Sequence, residues 1–140
     1  MSAEPMARTL RCPCGQTDAR GKALTLAQCC ARFITPDLGT PAPDAPSLMR
    51  SRYSAFVLQD VHYLLATWHA SSRPPELMLE PGVKWLGLEL RQQQVIDATH
   101  AEVEFVARQR DASGRAHRLH EHSRFVREQG RWFYVDGTVE

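Results

Sequence analysis

The sequence predicts an α+β protein in which helices pack on one face of a curved antiparallel sheet. A stretch with four prolines, 36–46, cannot continue a helix and separates a cysteine-rich N-terminal part from the rest. Residues 47–69 carry apolar side chains at steps of three and four, which is typical of an amphipathic helix. From residue 83 onward the period changes to two, which is typical of strands. Helices followed by consecutive strands indicate this fold class.

The element boundaries follow from turn and cap residues. Ser47, directly after Pro46, is the predicted N-cap of the helical segment. Asp60 interrupts the apolar stripe, and because aspartate favours caps over helix interiors, we expect it to start a second short helix. The apolar stripe comprises Met49, Tyr53, Phe56, Val57, Leu64, Leu65 and Trp68. Five of these are predicted to be buried against the sheet: Met49, Tyr53, Phe56, Leu64 and Trp68. Strands are predicted at 83–96, 101–110, 115–128 and 131–136, with hairpin turns at 111–114 and 129–130.

Composition excludes several classes of protein. The net charge of the 140-residue chain is +1, which gives no electrostatic case for nucleic acid or for an anionic membrane. No apolar run approaches the ~18 residues of a membrane span. Residues 1–11 have no hydrophobic stretch after their charges, so we expect no secretory signal and a cytoplasmic location.

Four cysteines have the spacing of a metal site: Cys12, Cys14, Cys29 and Cys30. In an extended chain, positions i and i+2 point to the same side, so the first two can face one ion. Thr25 and Gln28 match a capping box, which places the second pair at the start of a short helix. Four thiolates close a tetrahedral zinc site and leave no position for water, so the predicted zinc is structural. The alternative is a set of free or oxidised thiols.

The chain also resembles known families. Cys12-Pro-Cys-Gly with the later Cys29-Cys30 resembles the zinc-binding SEC-C motif, with a longer spacing around 18–23. The segments 48–56, 67–69, 120–125 and 130–137 resemble the YchJ-like family of uncharacterised bacterial proteins. This resemblance implies a nuclear-transport-factor-two-like (NTF2-like) domain, a cone of curved sheet closed by helices. It implies no reaction, because the fold hosts enzymes and binding modules alike.

Three parts are therefore expected: a SEC-C-like zinc knuckle over 1–35, a proline-rich linker over 36–46 and an NTF2-like domain over 47–140. Because the knuckle is too small to bury its own core, we expect removal of zinc to unfold it locally. On this expectation the domain after the linker survives.

Strand parity singles out Glu121. Leu119 and Phe125 share its parity, so if they face the core, Glu121 and Ser123 point inward as well. A buried carboxylate is costly unless paired. One hypothesis is a structural Glu121 satisfied by Arg50 or Arg52 from the helix; the other is an acid or base in a pocket. His120 and His122 share the opposite face with arginines, which disfavours a second metal there.

Two functions remain open. The first is a protein-interaction and ligand-binding module, in which the zinc knuckle contacts a partner protein and the cone binds a small molecule. The second is an enzyme that uses general acid–base chemistry, with Glu121, Tyr53 and His69 as candidate catalytic residues and Arg52 holding an anion. The candidate ligand-binding residues are Arg52, Tyr53, Trp68, Glu121 and Ser123. A deep cavity that contains Glu121 favours the enzyme, and a filled core favours the module.

Overall fold

The computed structural model describes residues 10–140, and within them the predicted α+β fold class is confirmed. The N-terminal stretch considered for a targeting signal lies, up to residue 9, outside the described residues. A short 3₁₀ helix precedes two α-helices and one four-stranded antiparallel sheet of order β1-β2-β3-β4. The elements are the 3₁₀ helix Cys30–Arg32, α1 Ala45–Leu58, α2 Val61–Ala66, β1 Lys84–Val95, β2 His100–Arg110, β3 Ala116–Glu128 and β4 Arg131–Val139.

Helix α1 begins earlier than the sequence predicted. The N-cap is Asp44, whose carboxylate accepts a hydrogen bond from the backbone N–H of Ser47 at 2.8 Å, so the assignment of Ser47 as N-cap was wrong. Pro46 lies inside the first helical turn, where its missing N–H costs nothing because that position has no intrahelical acceptor. The break at Asp60 is confirmed, since its carboxylate accepts from the N–H of Tyr63 and caps α2.

The sheet places one face of β2 and β3 toward α1. Phe105 of β2 pairs with Glu121 of β3, and Val103 pairs with Ser123. Val103, Ser123 and Phe125 are at most 2% exposed, so this face is the inner one and the predicted parity of Glu121 is confirmed. The β3–β4 hairpin closes through Gln129 and Gly130, both at positive φ, as a two-residue turn requires.

The cysteine-rich part packs directly on α1. The Sγ atom of Cys12 lies 3.5 Å from the hydroxyl of Ser54, and Arg50 Nη1 donates to the carbonyl of Cys14 at 3.1 Å. In the linker, the carbonyl of Leu38 accepts a 2.7 Å hydrogen bond from Arg131 of β4. Knuckle, linker and domain therefore share one continuous core. From this packing we expect that unfolding of the knuckle also affects α1.

Across residues 10–140, none of the helices has both the length and the apolar character needed to cross a membrane.

Candidate metal centre and ligand cavity

The four cysteine sulfur atoms lie within 4.8 Å of one another, and all four residues are at most 3% exposed. Gly15, at φ +79°, turns the chain behind Cys14. The two hydrogen bonds of the predicted capping box are present, each 3.2 Å long between the side chain of one residue and the backbone of the other, at Thr25 and Gln28. They close a turn and do not cap a helix, because the 3₁₀ helix begins at Cys30 with Cys29 as its N-cap. This local structure brings Cys29 and Cys30 back to the first pair.

The cluster fits a tetrahedral metal site. Sulfur atoms about 2.3 Å from a common zinc ion are separated by roughly 3.8 Å along each edge of the tetrahedron. Cys14 Sγ and Cys29 Sγ are 3.6 Å apart, and Cys29 Sγ and Cys30 Sγ are 4.0 Å apart. All four cysteines are free of disulfides. These residues can therefore hold a metal ion.

The electrostatics of the bare cluster show why a cation suits it. Hydrogen bonds from the thiols of Cys14 and Cys30 lower the pKa of Cys12, so one thiolate is stabilised by its neighbours. Burial raises the pKa of the Cys29 thiol to about 12, and the neighbouring sulfur atoms of Cys12 and Cys14, together with burial, raise that of Cys30. Four thiolates so close together need a bound cation to offset their charge.

A cavity of about 230 Å³ lies between α1 and the inner face of the sheet. Every strand contributes to its lining, and its walls are largely aromatic: Tyr53, Phe56, Trp68, Trp85, Phe105 and Tyr134. Edge-to-face contacts hold these rings, with centroids 5.5 Å apart for Tyr53–Trp85 and 5.3 Å apart for Trp68–Tyr134. The sequence predicted that Phe56 and Trp68 are buried against the sheet. Both are only half-buried, because they border this open space.

Arg52 lies in the cavity wall and is 3% exposed. Its Nη1 donates to the carbonyl of Leu64 at 2.8 Å and to the hydroxyl of Thr67 at 2.7 Å. The guanidinium stands 4.6 Å from the ring centroid of Tyr134 and 5.3 Å from that of Trp68. Burial lowers the pKa of Arg52 to about 10, so the side chain remains charged at neutral pH.

Glu121 lies in the same cavity but does not form the predicted ion pair with an arginine. Its Oε2 accepts from the hydroxyl of Ser123 at 2.6 Å and from that of Tyr134 at 3.2 Å. Within residues 10–140, neither Arg50 nor Arg52 has a carboxylate within 4.0 Å. Neutral hydroxyl donors therefore replace the arginine that the sequence suggested.

Gly137 makes room for this carboxylate. It pairs with Ser123 across β3 and β4, and a Cβ atom at this position would collide with the carboxyl group of Glu121. Gly137 was not predicted as part of the site, because a glycine near the end of a strand gives no sign of which side chain lies over it.

The five predicted ligand-binding residues all line the cavity: Arg52, Tyr53, Trp68, Glu121 and Ser123. His69, the third candidate for catalysis, lies elsewhere. Its Nδ1 is 2.7 Å from the hydroxyl of Ser71, and its Nε2 is 2.9 Å from a carboxylate oxygen of Glu128. The backbone explains this, because the N–H of His69 donates to the carbonyl of Tyr134 and fixes Trp68, not His69, toward the interior.

His120 and His122 of β3 lie on the outer face of the sheet. Nε2 of His120 is 2.6 Å from the carboxylate of Glu104, and Nε2 of His122 is 2.6 Å from that of Glu102. These cross-strand pairs are partly exposed and lie on the side of the sheet away from the cavity.

Comparison with known proteins shows which family the chain is similar to. Residues 44–137 match the family model described as YchJ, middle NTF2-like domain. A UPF0225 protein from Polaromonas sp. strain JS666 is 66% identical over 91% of this chain and 92% of its own length. The solution structure of a SEC-C motif containing protein from Rhodopseudomonas palustris is similar, with a TM-score of 0.78 and 28% identity over 94% of this chain and 99% of that one. The crystal structure of a SEC-C motif containing protein from Psychrobacter arcticus also has a TM-score of 0.78, with 27% identity over 96% of this chain and 85% of that one.

Proposed function

The chain belongs to the YchJ family with an NTF2-like middle domain, and from that premise we propose that it binds a small organic molecule in the cavity of this domain while the four cysteines hold a structural zinc ion. The single observation that carries the proposal is the cavity itself. A domain used only as a scaffold needs a filled core, because empty space forfeits packing contacts. This domain leaves about 230 Å³ open and places Arg52 and Glu121 beside it.

The size of the cavity supports a ligand of one or two rings. A cavity of about 150 Å³ lined by apolar side chains accommodates benzene. The cavity here is larger, and its exposed lining is mostly apolar with few polar atoms, as in typical small-molecule sites.

Filling the cavity is expected to abolish binding without disturbing the zinc site. Ala107 lines the cavity and is 2% exposed, so the variant Ala107→Phe places a ring in the open space. We expect small aromatic molecules to shift the NMR resonances of Tyr53, Trp68 and Tyr134 in the wild type and not in this variant. Zinc content, measured by elemental analysis, should stay the same in both proteins. Failure of every aromatic probe to shift these resonances in the wild type would refute the proposed function.

The proposed zinc ion has a structural role. Four cysteine ligands leave no open position for water or substrate, which is the arrangement of structural sites. Ser54, whose hydroxyl lies 3.5 Å from Cys12 Sγ, would support that ligand from outside by donating a hydrogen bond to it. Metal analysis of reduced protein should give one zinc per chain.

We also propose that the cysteine-rich knuckle binds a partner protein. The turn at 16–23 is exposed, and Asp18 holds it by accepting from the N–H groups of Arg20 and Lys22. A held, exposed turn with both charge signs supports a docking role. The test compares capture of a given partner by the wild type with capture by the Arg20→Glu, Lys22→Glu double variant, which should lose that same partner.

An acid–base enzyme is the second candidate, and one observation favours it. The Glu121 carboxylate and the Tyr53 ring face the same cavity as Arg52, and a cavity that contains Glu121 is what the sequence associated with an enzyme. The cavity itself supports ligand binding in either function, and catalysis would need all of its acid–base groups to lie there. His69 has no part in it. In an enzyme, Glu121→Gln should keep ligand affinity within severalfold and lose turnover of a candidate substrate, whereas in a binding module there is no turnover to lose.

A further inference from the structure

Two opposite charges line the cavity without forming an ion pair. Arg52 and Glu121 are the charged residues of its wall, and their side chains are not within ion-pair distance. Tyr134 stands between them, with its ring under the guanidinium and its hydroxyl on the carboxylate. Within residues 10–140, the side-chain hydrogen bonds of Arg52 all come from Nη1, and those of the Glu121 carboxylate all end at Oε2.

This arrangement restricts the charge of a ligand. An anion gains attraction from Arg52 and meets repulsion from Glu121, and a cation meets the reverse. Either ion also leaves the largely apolar cavity with an unbalanced buried charge, which is costly. An uncharged molecule keeps the balance and can still offer an acceptor to Arg52 and a donor to Glu121.

The walls of the cavity restrict the shape of a ligand and the position of its hydrogen-bonding groups. Rings of α1, β1 and β4 surround the space, so a flat aromatic body makes the most contacts. Trp68 lies on the side of Arg52, and its indole Nε1 is the one buried side-chain nitrogen or oxygen within residues 10–140 that lacks a hydrogen-bond partner. Within residues 10–140 the chain supplies no acceptor for this N–H group.

We infer that the cavity selects an uncharged, planar aromatic molecule of one or two rings that carries both a hydrogen-bond acceptor and a donor. The inference rests on the proposed function, since it names the ligand class of the same cavity. It differs from the enzyme hypothesis of the sequence analysis, in which Arg52 holds an anion.

Three near-isosteric probes test the charge directly. Benzamide is neutral and carries an acceptor and a donor, benzoate is the anion of the same shape, and benzamidine is the cation; toluene is the apolar control. Their affinities for the full-length, zinc-loaded protein are measured by NMR titration of the cavity resonances at neutral pH. We expect benzamide to bind at least about tenfold more tightly than the other three, because each of them leaves a buried charge or a polar group unmatched.

The variant Glu121→Gln removes the negative charge and keeps acceptor capacity for Ser123 and Tyr134. In this variant benzoate should gain at least about tenfold in affinity relative to benzamide, because Arg52 is then the only charge in the wall. The matched control is Glu102→Gln, the same change on the outer face of the neighbouring strand, which should leave the ranking of the probes unchanged.

The possible results distinguish whether the cavity binds ligands at all from whether it selects the proposed ligand class. If no probe shifts the cavity resonances of the wild type, the proposed function fails. If probes bind but benzoate, benzamidine or toluene equals or exceeds benzamide in the wild type, the ligand class is wrong while the binding site stands. An unchanged ranking in a folded Glu121→Gln variant also overturns the ligand class. If that variant does not fold, the wild-type ranking alone decides.

Discussion

The variant Cys14→Ser is expected to lose its metal and to destabilise the whole of the folded chain, not only the knuckle. Apparent zinc-binding free energies of isolated zinc-finger peptides are about 10–16 kcal/mol, and much of that is folding free energy. Here the cysteine cluster rests on α1 through Ser54, and Phe33 borders the same small cavity as Leu48 and Tyr63. Collapse of the knuckle therefore removes packing from both helices. We expect the free energy of unfolding of the domain to fall by more than about 3 kcal/mol, the scale of large core truncations.

Chemical denaturation followed by far-UV circular dichroism measures this loss, and amide hydrogen exchange locates it. Protection should fall in α1 as well as in the knuckle. The matched control is Ser54→Ala, which keeps all four cysteines and removes only a hydroxyl near one sulfur, so it should cost about 1 kcal/mol and retain the metal. Unchanged protection of α1 in metal-free protein would show that the knuckle and the domain are independent units after all.

The sequence predicted most of the fold because its strongest patterns are local. The alternation along β2 and β3 and the two-residue turn at Gln129–Gly130 fix the strands and their faces without reference to the rest of the chain. The capping box at Thr25 and Gln28 is likewise a local pattern, and its two hydrogen bonds are present. Asp44 was missed as the N-cap because Asp44 and Ser47 are both residues that favour this position. Pro46 lies in the first helical turn, and this places the N-cap at Asp44.

The site was predicted less completely, because its decisive contacts join distant parts of the chain. Parity placed Glu121 inside, but which group satisfies it depends on the register of β3 with β4, and this brings Tyr134 and not an arginine to the carboxylate. His69 was a candidate catalytic residue, but Trp68 and not His69 lines the cavity. Adjacent residues in an extended segment point to opposite sides, and the pairing of this segment with β4 decides which one enters the cavity. Such pairings are not encoded in any local pattern.

The variant Gly137→Ala is expected to destabilise the protein through its contact with Glu121. A methyl group at this position would collide with the carboxyl group, which is held in place by the hydroxyls of Ser123 and Tyr134. Overpacking of this kind typically costs about 1–3 kcal/mol, and we expect the upper part of that range because a buried hydrogen-bonded group has to move.

A double-mutant cycle isolates that contact. Glu121→Ala removes the obstacle, so Gly137→Ala should cost much less in the Glu121→Ala background than in the wild type, and the coupling energy should exceed about 1 kcal/mol. Because Gly137 is not among the glycines with positive φ, alanine brings no comparable backbone strain, and relief by Glu121→Ala can be assigned to the side-chain clash. Thermal and denaturant unfolding of the four proteins give the cycle. Equal costs of Gly137→Ala in both backgrounds would mean that the carboxylate does not lie over Gly137, and the position of Glu121 in the cavity, on which the ligand arguments depend, would be wrong.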